Sequence, residues 1–250
     1  FFSLNWKAGG SASSNGNGTL TSSVSVNATA GFSIATYTGD NAGGNSTVGH
    51  GLGVAPEVVL IKRRDSSGDW IVGHDGLATN AFTNTKFLKL HDNAAVFTNS
   101  LVWGAQPTST VVQITTGSTA TNLNGSGGTY AMYSFVSVES YSKFGSYLGN
   151  ANADGPFVYT GFKPAFIIAK NSATTNYWRM WNNKSAPVNP VATGQYPNDS
   201  AVEDAPVNWT VDWLSNGFKV RNDDGEMNGS GNIIIYMAFA ESPFKYSTAR

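Results

Sequence analysis

Apolar residues in this chain recur at every second position over short runs, and helical spacing never persists beyond two turns. Phe2, Leu4 and Trp6 alternate with Ser3 and Asn5, and Val24 and Val26 do the same in a polar setting. Tyr130–Val138 and Ile233–Ala240 are longer strands of the same kind, each following an Asn-Gly-Ser-Gly turn at Asn124–Gly127 or Asn228–Gly231. Val58-Val-Leu-Ile61 is continuously apolar, which predicts a strand buried on both faces.

The runs repeat. Gly53-Val-Ala-Pro56 leads into Glu57–Lys62 and then Trp70; Gly161-Phe-Lys-Pro164 leads into Ala165–Lys170 and then Trp178. The two prolines and the two tryptophans share one offset (164 − 56 = 108 and 178 − 70 = 108), and the Asn-Gly-Ser-Gly turns share another (228 − 124 = 104). The pattern predicts an all-β chain of two tandem homologous antiparallel β-sandwich units, jelly-roll-like, at 31–140 and 141–250. Trp6 aligns with Phe135 and Phe239, so residues 1–10 read as the closing strand of a preceding repeat. Residues 11–30 read as a Gly/Ser/Asn linker with an extended piece at Val24 and Val26. Four prolines between 183 and 206 predict a long ordered loop there, and Ser200–Asp204 a short helical turn. The Asn-Gly pairs and the Gly-x-x-Pro turns are scaffold devices, supplying positive φ and a preset approach to a strand.

Composition adds exclusions. Charged residues are 12 % and net charge is −1, so there is no basic footprint for nucleic acid and no polybasic membrane patch. No apolar run is long enough to span a bilayer. Cysteine is absent, which removes disulfides, thiol chemistry and Cys-based zinc sites. The chain starts Phe-Phe-Ser without Met, and reads as a fragment or a processed chain.

Candidate chemistry is sparse. His50, His74 and His91 have no Gly-x-Ser-x-Gly elbow to serve, and no zinc spacing links them. Asn222–Asn228 lacks calcium-loop spacing and reads as a hairpin turn with solvated carboxylates. Glu139, Glu203 and Glu241 single out no catalytic pair. The expectation is no enzyme, no cofactor and no metal. Of the aromatics, Trp209 and Trp213 share a strand face with Val211, which reads as core. Trp103 and Tyr196, near Pro107 and Pro197, read as exposed, and are the candidates for receptor or glycan contact.

Several stretches carry a resemblance: Trp6–Gly10, Gly31-Phe-Ser-Ile-Ala-Thr-Tyr-Thr-Gly39, Val48–Pro56, Tyr141–Tyr147, Asp154–Phe162, Leu214–Lys219 and Tyr236–Phe244. Together they resemble a family of bacteriophage virion proteins common in phages of marine bacteria. The resemblance implies a C-terminal structural module of a tail-fibre, tail-associated or head-surface protein, and no site residues. It implies a virion location, other virion proteins as partners, and a homo-oligomer, a trimer first. The expected function is a surface adhesion or decoration module without catalytic activity. The alternative is a lectin-like or depolymerase β-sandwich that meets host-surface glycan.

Overall fold

The computed structural model describes residues 5–42, 46–78, 82–116, 122–185, 187–200 and 209–241. The chain is all-β, with antiparallel sheets throughout the described residues. It falls into two compact units. The first takes Phe1–His74, Phe82–Phe87 and Thr98–Val136; the second takes Asp75–Ala81, Leu88–Phe97 and Ser137–Arg250. The short stretches between 75 and 97 thus depart from a simple division of the sequence near 140.

The strands up to residue 136 are β1 (Ser13–Asn15), β2 (Ser22–Asn27), β3 (Phe32–Thr38), β4 (Ser46–Gly49), β5 (Val58–Arg63), β6 (Trp70–His74), β7 (Lys86–Lys89), β8 (Phe97–Thr98), β9 (Val111–Ile114) and β10 (Thr129–Phe135). One sheet runs β1-β2-β3-β10-β5-β6-β7-β8, and β4 pairs with β9 in a second. Val58, Val59 and Ile61 are fully buried on β5, as the continuous apolar run predicts.

The second unit holds β11 (Ser142–Leu148), β12 (Phe157–Tyr159), β13 (Pro164–Asn171), β14 (Arg179–Asn182), β15 (Val211–Leu214), β16 (Gly217–Val220), the four-residue helix α1 (Gly225–Asn228) and β17 (Ile233–Ala240). Its sheets are β11-β17-β13-β14 and β12-β16-β15. Ile167, Trp181 and Tyr236 from the first meet Val158, Trp213 and Phe218 from the second in one core, which makes a β-sandwich. Each such buried side chain contributes about 1.5–3 kcal/mol of transfer free energy.

The orders β3-β10-β5-β6 and β11-β17-β13-β14 correspond strand by strand, and so do their registers. Met132 stands opposite Ala35 and Ile61; Tyr236 stands opposite Gly145 and Ala169. Ile61 faces Ile71 across the first hairpin, and Ala169 faces Arg179 across the second. The strands that come last in each unit, β10 and β17, lie between two neighbours. Both are central and buried along most of their length.

The Asn-Gly-Ser-Gly turns work differently from the sequence expectation. Positive φ falls on the second glycine, Gly127 (69°) and Gly231 (71°), not at the Asn-Gly pair. The asparagines are fully buried staples. Asn124 accepts from the Asp40 N–H at 3.0 Å and donates Nδ2 to Asp40 Oδ1 at 2.8 Å and to Ser46 Oγ. Asn228 accepts from the Asn150 N–H at 2.8 Å and donates to Asn150 Oδ1, Asn152 O and Asn222 O. Beside them, Tyr37 Oη donates to Leu123 O and Tyr147 Oη to Met227 O. A Cβ on Gly39 would meet Gly125 O at 2.4 Å, and one on Gly149 would meet Gly229 O at 2.2 Å, so this close approach needs glycine in both units.

The amino-terminal expectations change. Residues 5–10 form no strand; Phe2 and Leu4, which carried the alternation, lie outside the described residues. Trp6 packs edge-on against Phe135 (5.6 Å) and tilted on Phe32, within the first unit. Gly10 O accepts from Ser25 Oγ, and Lys7 O from Asn27 Nδ2. Residues 11–30 are not a linker, because β1 and β2 extend the sheet and Val24 pairs with Ala35 in its core-facing row. Alternation of two valines with serines is enough for a half-buried strand.

Candidate functional site

Polar chemistry that one unit has and the other lacks gathers around β14. Arg179 occupies the register position that Ile71 fills in the first unit. Its guanidinium is 1 % exposed and donates to Glu226 Oε2 at 2.6 Å. It lies 3.0 Å from the Trp209 ring centre and 3.9 Å from that of Tyr196. Tyr196 also meets Tyr177 edge to face at 5.3 Å. A buried cation needs a counter-charge, and flat rings satisfy the faces of a guanidinium that carboxylates cannot reach. Glu226 is held on α1, where Asp224 caps by accepting from the Glu226 N–H. The 222–228 segment is thus a capped helical turn with an ion-paired carboxylate, not a hairpin turn with solvated ones. Lys170, fully buried on β13, donates Nζ to Asn171 O and Thr174 O, and burial lowers its ammonium to about 8.

A second feature is a cavity of about 300 Å³ at the end of the sheet β11-β17-β13-β14. The antiparallel register builds it. Pro164 lies opposite Ala240 and Phe166 opposite Asn182, so the residues just outside those strands converge. Lys163 O accepts from the Glu241 N–H, and Ala165 O from the Asn183 N–H. Lys163 Nζ stands 3.3 Å from Glu241 Oε2, and Lys184 Nζ 3.5 Å from Oε1. Burial pushes the Glu241 carboxyl up, but the two ammoniums outweigh it and leave the group below its ordinary value.

The cavity's floor and rim are ordered by asparagines. Asn189 accepts from the Trp213 N–H at 2.8 Å and returns a bond to Trp213 O, standing in for a strand residue along β15. Val191 bridges Val211 just beyond. Asn182 Oδ1 accepts from the N–H groups of Lys184 and Ser185, which fixes the turn after β14. Asn183 lines the cavity with 8 % exposure. Its backbone N–H is bonded to Ala165 O. The Trp213 indole N–H is buried without a partner.

The two aromatics expected to be exposed fare differently. Trp103 is fully buried, edge-on to Phe82 at 5.5 Å, and a Cβ on Gly73 would strike both rings. Its proximity to Pro107 misled, because the large ring fills the core beneath a glycine on β6. Tyr196 is half-buried and belongs to the Arg179 stack. Trp213 and Val211 are core, and Trp209 packs against it. Sequence reading missed Asn183, Lys184 and Lys163, which come from separate stretches of the chain. Among the described residues, no group of His, Asp or Glu could hold a metal ion, and no helix is long and apolar enough to cross a membrane.

His50 is fully buried in the first unit. Its Nδ1 accepts from the Leu52 N–H, so Nε2 carries the proton and donates to Thr108 O at 3.1 Å. Burial lowers its pKa, and the neutral ring closes a loop rather than serving as a base.

Compared with known families, the chain matches the one described as "Domain of unknown function (DUF7483)" over residues 1–243. No curated protein and no solved structure matches it.

Proposed function

The chain belongs to the family described as Domain of unknown function (DUF7483), and we propose that it is a bacteriophage virion structural protein, a surface adhesion or decoration module without catalytic activity. The observation that carries this reading is where the buried polar groups go. Asn124 with Asp40, and Asn228 with Asn150, spend their hydrogen bonds on stapling the same turn in both units. A scaffold whose polar groups close its own loops suits a rigid, repeated display surface. The resemblance of Gly31–Gly39 and Tyr141–Tyr147 to phage virion proteins falls on β3 and β11, the strands that lead into those staples. In this reading the module sits outside the particle, works beside other virion proteins and assembles as a homotrimer. Mass spectrometry of gradient-purified particles tests it: peptides of this chain should copurify with the particles. Peptides confined to the soluble fraction of lysed hosts contradict it.

One observation favours the second reading, contact with host-surface glycan. The cavity beside Asn183 joins an indole, an amide and charged groups in a volume at the low end of ligand sites, about 300–1,000 Å³.

A further inference from the structure

We infer that the free edge of β12 takes up an extended segment of another polypeptide, added beside it as a parallel strand. This goes beyond the display reading and names a kind of partner. The first unit shows the same edge already filled. There β4 pairs with β9 as β12 pairs with β16, antiparallel and with one inward side chain, Val48 in the first unit and Val158 in the second. The His50 N–H donates to Thr110 O, and the Thr160 N–H to Asn216 O, which sets the parity of the two ladders. Hydrogen-bonded pairs then fall on Val48 with Val112 and on Val158 with Phe218. The residues on either side, Thr47 and Gly49 or Phe157 and Tyr159, aim their backbone groups away from that neighbour strand.

In the first unit a stretch of chain meets those outward groups. Leu20 bridges Val48 in parallel, is buried, and donates its N–H to Thr47 O at 3.0 Å. The Thr47 N–H donates to Thr19 Oγ1 at 2.8 Å, the Thr19 N–H to Thr47 Oγ1 at 2.9 Å, and Ser22 Oγ to Gly49 O at 2.8 Å. In the second unit, among the described residues, β12 has β16 as its one neighbour strand, and nothing meets the outward groups of Phe157 and Tyr159. Their side chains are 46 % and 65 % exposed, the most exposed aromatic rings among the described residues. An incoming strand uses both features: its backbone completes the ladder, and the rings cover its side chains. The chemistry of the occupant follows from the first unit, where an aliphatic residue bridges between two hydroxyl residues, Thr19-Leu20-Thr21. A Cβ on Gly49 would meet Asn15 Oδ1 at 2.1 Å, whereas the matching residue of β12 is Tyr159, so the segment that fits β12 carries a small residue beside that ring.

The test is a titration of the whole 250-residue chain with the acetylated and amidated peptide Gly-Thr-Leu-Thr-Ser-Ser, the sequence of residues 18–23, followed by NMR of backbone amides. Maltohexaose is titrated separately. The expected result is saturable shifts and slowed amide exchange at Phe157 and Tyr159 with the peptide, and none with the sugar. The same peptide N-methylated at its leucine lacks the N–H that Leu20 uses on β4, and should bind at least about tenfold more weakly. No saturable shift at Phe157 and Tyr159, equal binding of the N-methylated peptide, or shifts there with maltohexaose and none with the peptide would overturn the inference. Copurification with particles is measured independently, so an edge that takes no peptide leaves the virion reading standing.

Discussion

At the scale of single residues, the molecule depends on amides and one imidazole that water does not reach. Asn228 meets three oxygens with its Nδ2 and one N–H with its Oδ1. Asn228→Ala strands those groups in a buried site, and should cost about 3 kcal/mol in a denaturant titration, since each unsatisfied group costs roughly 1–3 kcal/mol. Asn152→Ala, an exposed neighbour, should stay within about 0.5 kcal/mol of the parent. Equal effects of the two would remove the staple from the account. His50 sets an acid limit. Its folded pKa lies below its unfolded value, so the unfolded chain takes up the proton first. The stability that neutral His50 gives is complete above about pH 6.5 and is lost as pH falls below that value. The denaturation midpoint should drop between pH 7.5 and 5.5, and His50→Gln should flatten the drop.

Element by element, the two units use one register with different cargo. Arg179 and Glu226 stand where the first unit has Ile71 and, at the turn offset, Asn122. Arg179→Ile should cost about 3 kcal/mol, because Glu226 keeps its charge and loses its partner. Adding Glu226→Asn should recover more than about 1 kcal/mol, a coupling that a double-mutant cycle reads directly. Additive losses would mean that the pair is not an energetic unit. Lys170 gives the same sign of pH dependence as His50, in a higher pH window. Its folded pKa of about 8 lies below the unfolded one, so the folded state sheds its proton first and stability rises with pH above about 8. Between pH 7.5 and 9.5 the gain should be roughly 2 kcal/mol and should vanish in Lys170→Met.

The hairpins β5–β6 and β13–β14 and the strands β10 and β17 were legible in the sequence, because period two and a fixed offset mark them. The Gly-x-x-Pro turns place positive φ at Gly53 and Gly161. Three things were not legible. The position of β10 and β17 within their sheets depends on which strands flank them, and alternation says nothing about partners. Trp103 looked exposed because a nearby proline suggests a loop, whereas its burial depends on Gly73, thirty positions earlier. The cavity was hidden because Lys163, Asn183 and Glu241 lie far apart in sequence, and only the antiparallel register brings them together.

For the whole molecule, the proposal is display on a particle surface by two β-rich units that close their own loops. As a homotrimer, the chain should scatter light as three times 26.4 kDa at micromolar concentration; a stable 26.4 kDa species would count against the fibre form of the proposal. The central claim is that the module stands on the outside of a phage particle. Gold-labelled antibody fragments raised against the 250-residue chain, imaged on intact particles, test it most directly. The account predicts label at fixed, symmetry-related positions on the particle surface. Intact particles that stay bare, while the same antibody detects the chain in the infected-cell lysate, would contradict it.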